Sequence, residues 1–201
     1  MPVCEPMSSC GSGIGGSACK PWAAALKDAI LKHGQNQRVK FNLIDKIEAV
    51  TDGKIVGVKF VSLAEEYLAD HFPSFPVLPG VMMLEAATQA AGWLLHRRSD
   101  FARSFAVLKE ARNVKYGNFV APGNFLRIEA ELMKETSFKV IGTVNDKTAF
   151  TARIEMAYFD LGDEKIDGKL KEHNRSRWSL IAPATDGRSG PRITSAALQL
   201  E

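Results

Sequence analysis

Three polar side chains stand out in a stretch that is otherwise apolar or rich in proline. His71 opens the segment HFPSFPVLPG, Glu85 lies fourteen residues later within VMMLEAATQAAGWLLHRR, and Gln89 follows Glu85 by four. On a helix that last spacing puts Glu85 and Gln89 on one face. A carboxyl group one turn into so apolar a helix is costly unless it has partners, and a histidine fourteen residues before it makes the two a candidate catalytic pair. Gly80 and Val81 begin the helix, where free backbone N–H groups can face a developing oxyanion. The same residues also suit a structural carboxylate satisfied by Gln89 and backbone donors, with His71 in a packing or capping role. The residue pattern alone leaves both open.

The elements around these residues are well marked. Pro73, Pro76 and Pro79 stiffen residues 71–80 and push the residue before each into an extended shape. Residues 81–98 have helix-forming composition and would span ~27 Å. They are apolar on nearly every face as far as His96, which predicts a helix buried on most sides. Upstream, RVKFNLIDKIEAV and KIVGVKFVS flank Thr51-Asp52-Gly53 and read as two strands with an Asp-Gly turn. AEEYLA suggests a short helix at 64–69. Downstream, four more strands are expected, with turns at Val120–Asn124 and at Asn145-Asp146-Lys147. Strands gathered around one helix predict an α+β fold with a mostly antiparallel curved sheet.

The ends differ from the middle. Residues 1–37 read as a Ser/Gly-rich tail carrying Cys4, Cys10 and Cys19, followed by a short helix at 21–33. The cysteine spacing matches no zinc or redox pattern, and their confinement to the tail excludes a disulfide framework for the core. A reducing cytoplasm fits. Residues 38–162 form the expected domain, and 163–201 read as a polar C-terminal tail in which Trp178, Leu180 and Ile181 could pin the chain to the surface. The 201 residues carry 26 Lys and Arg against 23 Asp and Glu, too small an excess to argue for nucleic acid. No apolar run is long enough to cross a membrane, and no cluster suits a metal.

HFPSFPVLPGVMMLEAATQAAG resembles the signature of the β-hydroxyacyl-acyl carrier protein dehydratases, the FabZ-like enzymes of hot-dog fold. VAPGNFLRIEAELMK looks like that family's second landmark, and the resemblance covers about residues 38–160. It departs at Asp70, where the family usually has Gly, and at Phe75, where a basic residue or His is usual. Glu rather than Asp at position 85 favours the FabZ-like branch over the dehydratase–isomerase branch. The resemblance implies dehydration of a (3R)-hydroxyacyl thioester on acyl carrier protein to the trans-2-enoyl thioester in fatty acid biosynthesis. His71 would be the base, Glu85 the acid, Gly80 and Val81 the oxyanion donors, and Gln89 a supporting residue. It implies no cofactor, and an acyl tunnel near Phe72, Phe75, Met82 and Met83. It also implies a homodimer whose sites take His from one chain and the acid from the other; trimers of dimers occur in the family. The competing readings are a hot-dog thioesterase and a non-catalytic acyl-binding homologue.

Overall fold

The computed structural model describes residues 41–72 and 74–183. The chain divides into two units, 1–39 and 40–201. The first lies outside the described residues, together with the cysteine-bearing tail and the helix expected at 21–33. The described part of the second contains β1 (Lys46–Val50), β2 (Lys54–Phe60), α1 (Tyr67–Asp70), α2 (Gly80–Arg98), β3 (Phe105–Tyr116), β4 (Phe125–Lys134), β5 (Ser137–Val144), β6 (Lys147–Phe159) and α3 (Glu164–Ile181). The strands form one antiparallel sheet in the order β1-β2-β4-β5-β6-β3. The expected succession of two strands, a buried helix and four strands is what the chain adopts.

Turn chemistry sets the sheet's corners. Asn145 and Asp146 both have positive φ (48° and 61°), the backbone of the tight turn that joins twisted antiparallel strands. Gly123 takes φ 84° in the turn before β4. Along β5 the buried residues Phe138, Val140, Gly142 and Val144 alternate with less buried ones, so one face of the strand meets the core.

Helix α2 packs against five of the six strands, β2 through β6. Its inner surface is made of small residues: Ala86, Ala87, Ala90 and Ala91 are fully buried. A Cβ on Gly92 would stand 3.2 Å from the Ala106 Cβ of β3, so glycine sets how near the helix lies to that strand. Leu94 and Leu95 anchor the C-terminal half. Among the described residues no helix is long and apolar enough to cross a membrane.

The polar tail expected from residue 163 onwards is corrected over Glu164–Ile181, which form α3. Asp163 caps it, its side chain accepting from the Lys165 and Ile166 N–H groups. The helix docks with few apolar residues. Trp178 and Ile181 are buried, whereas Leu180 is exposed. The Trp178 ring lies 6.0 Å from Trp93 and 6.4 Å from Phe101. A buried carboxylate does the rest: Asp167 accepts from Ser104 Oγ at 2.5 Å and from the Leu161 and Gly162 N–H groups at 3.0 Å each. An apolar stripe this thin leaves no 3.6-residue period to read.

Burial opposes ionisation of Asp167, but the three donated hydrogen bonds outweigh it and hold the carboxyl below its ordinary value. Its contribution to stability is therefore present above the usual carboxylate range and lost as pH falls through it. Asp167→Asn keeps the shape but one acceptor oxygen fewer. It is expected to lower stability by about 2 kcal/mol at pH 7 in urea unfolding. The gap to wild type should narrow in strong acid; a gap independent of pH would contradict this account.

Candidate active site

His71 follows α1 directly, in extended backbone at φ −99° and ψ 91°. Next to it Phe72 sits at φ 57°, in the left-handed region that bulky residues seldom adopt. Holding it there costs about 1–3 kcal/mol. The surrounding loop imposes it: the Phe75 N–H donates to the Phe72 carbonyl at 2.7 Å, and the Leu78 N–H donates to the Val120 carbonyl at 2.8 Å. The strain turns the chain so that the His71 ring packs over Phe72, centroids 4.4 Å apart.

His71 lines a pocket of about 440 Å³ together with Gly80, Val81, Met83, Tyr116 and Phe119. The N-terminus of α2 opens into it. Pro79 precedes the helix without a side-chain cap, and no acidic residue occupies the first turn. Gly80 and Val81 line the pocket at the positive end of the helix dipole, in the turn whose N–H groups have no partner within the helix. Gly80 lets the Tyr116 ring lie close over the helix start: a Cβ there would stand 2.9 Å from the ring and push it aside. Tyr116 has no place in the sequence reading of the site; only the fold brings the end of β3 over the start of α2.

Glu85 sits one turn into α2 and is half-buried in the single chain. Gln89 Nε2 donates to Glu85 Oε1 at 3.0 Å and to the Phe41 carbonyl at 3.0 Å, while Gln89 Oε1 accepts from the Leu43 N–H at 2.8 Å. The amide is thereby locked, and it aims one carboxylate oxygen. Glu85 does not line the His71 pocket, and among the described residues no hydrogen bond or ion pair joins the two. Of the other residues singled out in the sequence, Met83 lines the pocket and is buried, Met82 is half-buried, and Phe72, Phe75 and Val81 are exposed. The Phe75 ring meets Phe119 edge-on at 5.8 Å.

A family model described as a FabA-like domain matches residues 36–153. The chain belongs to the FabA-like family. This FabA-like chain is 35% identical over 124 residues to the 3-hydroxyacyl-[acyl-carrier-protein] dehydratase FabZ of Clostridium perfringens, covering 60% of this chain and 89% of the relative. It is 41% identical over 107 residues to the protein of the same name from Solibacter usitatus, covering 53% of this chain and 64% of the relative. Among solved structures, the dehydratase heterocomplex ApeI:P from Xenorhabdus doucetiae matches with a TM-score of 0.50 at 20% identity, over 61% of this chain and 86% of that one. That likeness shows the hot-dog architecture: an antiparallel sheet curled around one long helix.

Gln89→Met is close in size but cannot accept from Leu43 or donate to Phe41 and Glu85. Chemical denaturation is expected to show a loss of roughly 1–3 kcal/mol, the range for leaving a buried donor unpaired. Wild-type stability in this variant would mean that the amide does not hold the 41–43 segment to α2.

Proposed function

We propose that the protein is a 3-hydroxyacyl-[acyl-carrier-protein] dehydratase that uses His71 and Glu85. The observation that carries this reading is the placement of His71 and the open N-terminus of α2 in one pocket. Family membership and the names of the relatives support the substrate class. The His71 imidazole takes the proton from C2 of the thioester. The Gly80 and Val81 N–H groups stabilise the charge that develops on the thioester oxygen. Glu85 gives a proton to the 3-hydroxyl as the C3–O bond breaks, and the electron pair left at C2 closes the C2=C3 bond. Water and the trans-2-enoyl thioester leave.

The pair is assembled from two copies of the chain. Within one protomer Glu85 does not line the pocket of His71, and in this reading a second copy brings the two together. β3 ends the sheet, with no further strand beyond it among the described residues. An unpaired edge of 12 residues is a ready surface for another strand. Exposed Val81, Tyr116 and Phe119 lie beside it, around the pocket. Acyl carrier protein is the partner that presents the thioester.

Incubation with a 3-hydroxyacyl thioester separates the readings: enoyl product supports dehydration, free thiol a thioesterase, and neither a binding module. Glu85→Gln keeps the bond with Gln89 but cannot deliver a proton. Its turnover is expected to fall at least ~100-fold with the fold intact by circular dichroism; near-normal turnover would make Glu85 structural.

A second measurement addresses the shared site. Inactive His71→Ala and Glu85→Gln chains, mixed in equal amounts under conditions of subunit exchange, form about half hybrid dimers, each with one intact site. About a quarter of wild-type activity per chain should return. No recovery despite demonstrated exchange would place both groups of each site on one chain.

A further inference from the structure

The roles assigned above order a substrate across the site, and this inference rests on them. The helix N-terminus meets the oxygen on C1, His71 meets C2, and Glu85 meets the oxygen on C3. The acyl chain beyond C3 therefore leaves on the Glu85 side, away from the pocket that holds the thioester end. A second pocket, of about 210 Å³, begins there. Gln89, bonded to Glu85, forms part of its wall, and it runs along α2 past Gly92 and His96. Positions 85, 89, 92 and 96 are three or four residues apart and share one helix face. The wall contributed by α3 consists of His173, Asn174 and Arg177. This helix lies beyond the residues matched by the family model.

Two features decide what fits. The first is length. Beyond Trp93 and His96 the aromatic rings close up: His96 stacks on Phe101 at 6.0 Å and meets Tyr158 edge-on at 5.2 Å, and Trp93 meets Trp178 at 6.0 Å. A chain lying along this face of α2 is stopped by that cluster. The second is polarity. Six of the eleven lining residues are polar or charged, and none is acidic. Burial holds the His96 pKa down to about 4, so it offers hydrogen bonds rather than charge at neutral pH. Arg177 is half-buried and among the described residues has no carboxylate partner. Its neighbour Arg175, by contrast, pairs with Asp100 and lies over the Phe101 ring. A hydrocarbon tail would displace water from the Arg177 guanidinium and give nothing in return. A carboxylate would replace that water with charge-assisted hydrogen bonds.

We propose that this pocket receives a short 3-hydroxyacyl chain ending in a carboxylate, with Arg177 as the residue that selects it. The test is kcat/KM of the full-length protein with acyl-carrier-protein thioesters of 3-hydroxyglutarate and 3-hydroxypimelate. Methyl-ended 3-hydroxyvalerate and 3-hydroxyheptanoate, of matching length, and long-chain 3-hydroxydecanoate are the comparisons. At least one carboxylate-ended substrate should exceed its methyl-ended counterpart by about tenfold or more, the scale of one hydrogen bond to a charged group. The decanoate should be the poorest. Arg177→Met should bring the carboxylate-to-methyl ratio close to one, and Arg177→Lys should restore part of it. Equal rates for both matched pairs, a preference that survives Arg177→Met, or efficient turnover of the decanoate would overturn the proposal and leave dehydration by His71 and Glu85 standing. No enoyl product from any of these substrates would overturn the dehydratase reading and this inference together.

Discussion

A single packing constraint governs this structure: helix α2 lies against five strands at once, close enough that its inner face has to be alanine and glycine. Ala86, Ala87, Ala90 and Ala91 expose nothing to solvent, and a Cβ on Gly92 would press on that of Ala106 at 3.2 Å. Larger side chains there would push the helix off the sheet, since overpacking a filled interior costs about 1–3 kcal/mol. The sheet makes the matching concession at Gly142, where a Cβ would collide with the Phe150 ring. Such a helix cannot carry polar side chains casually. Of the three it carries in residues 85–89, Thr88 donates back to the Leu84 carbonyl, Glu85 and Gln89 are bonded to each other, and Gln89 also ties down the backbone at Phe41 and Leu43.

The placement of α2 decides where reactive groups can sit. Its N-terminus is left without a side-chain cap and lines the pocket of His71. The proline-stiffened loop that delivers His71 holds a left-handed Phe72, a conformation that persists because both ends of the loop are anchored by backbone hydrogen bonds. Rigidity on both sides of the pocket fits a reaction that needs a base and an oxyanion site in fixed register. The face of α2 that carries Gln89, Gly92 and His96 opens elsewhere, onto the 41–44 segment and α3. In the proposed reading this division is what makes a second copy necessary: neither face of the helix is a complete site.

Helix α3 is attached to that framework by a different kind of contact. Its docking relies on Trp178 and Ile181 at one end and on the buried Asp167 at the other, the carboxylate collecting three donors from Ser104, Leu161 and Gly162. Between these anchors the helix is polar, and that polar face forms the wall of the smaller pocket. An element held by its ends can present charged side chains inward without weakening a core, so its composition is open to a role in selecting what enters the pocket.

Much of the fold was legible in the residues themselves. Apolar runs of strand type, the Asn145-Asp146 turn and the alanine-rich helix 81–98 are local patterns with local physical causes, and they appear where the sequence places them, except that in the described part of the first run only Lys46–Val50 is strand and 41–45 is not. The bond between Glu85 and Gln89 was legible for the same reason, because helical geometry alone puts those side chains together. What the sequence left undetermined depends on segments distant along the chain. Tyr116 reaches Gly80 only because β3 crosses the start of α2, and whether Glu85 shares the pocket of His71, which it does not within one chain, depends on how the loop 71–79 meets the helix. Helix α3 reads as a polar tail from sequence, since its apolar anchors are only Trp178 and Ile181, Trp178 meets Trp93 and Phe101 some eighty residues away, and Asp167 takes its side-chain donor from Ser104, 63 residues away. Periodicity reports which face of a segment is apolar; it carries no record of which remote group will satisfy a buried polar atom, and that only the tertiary structure decides.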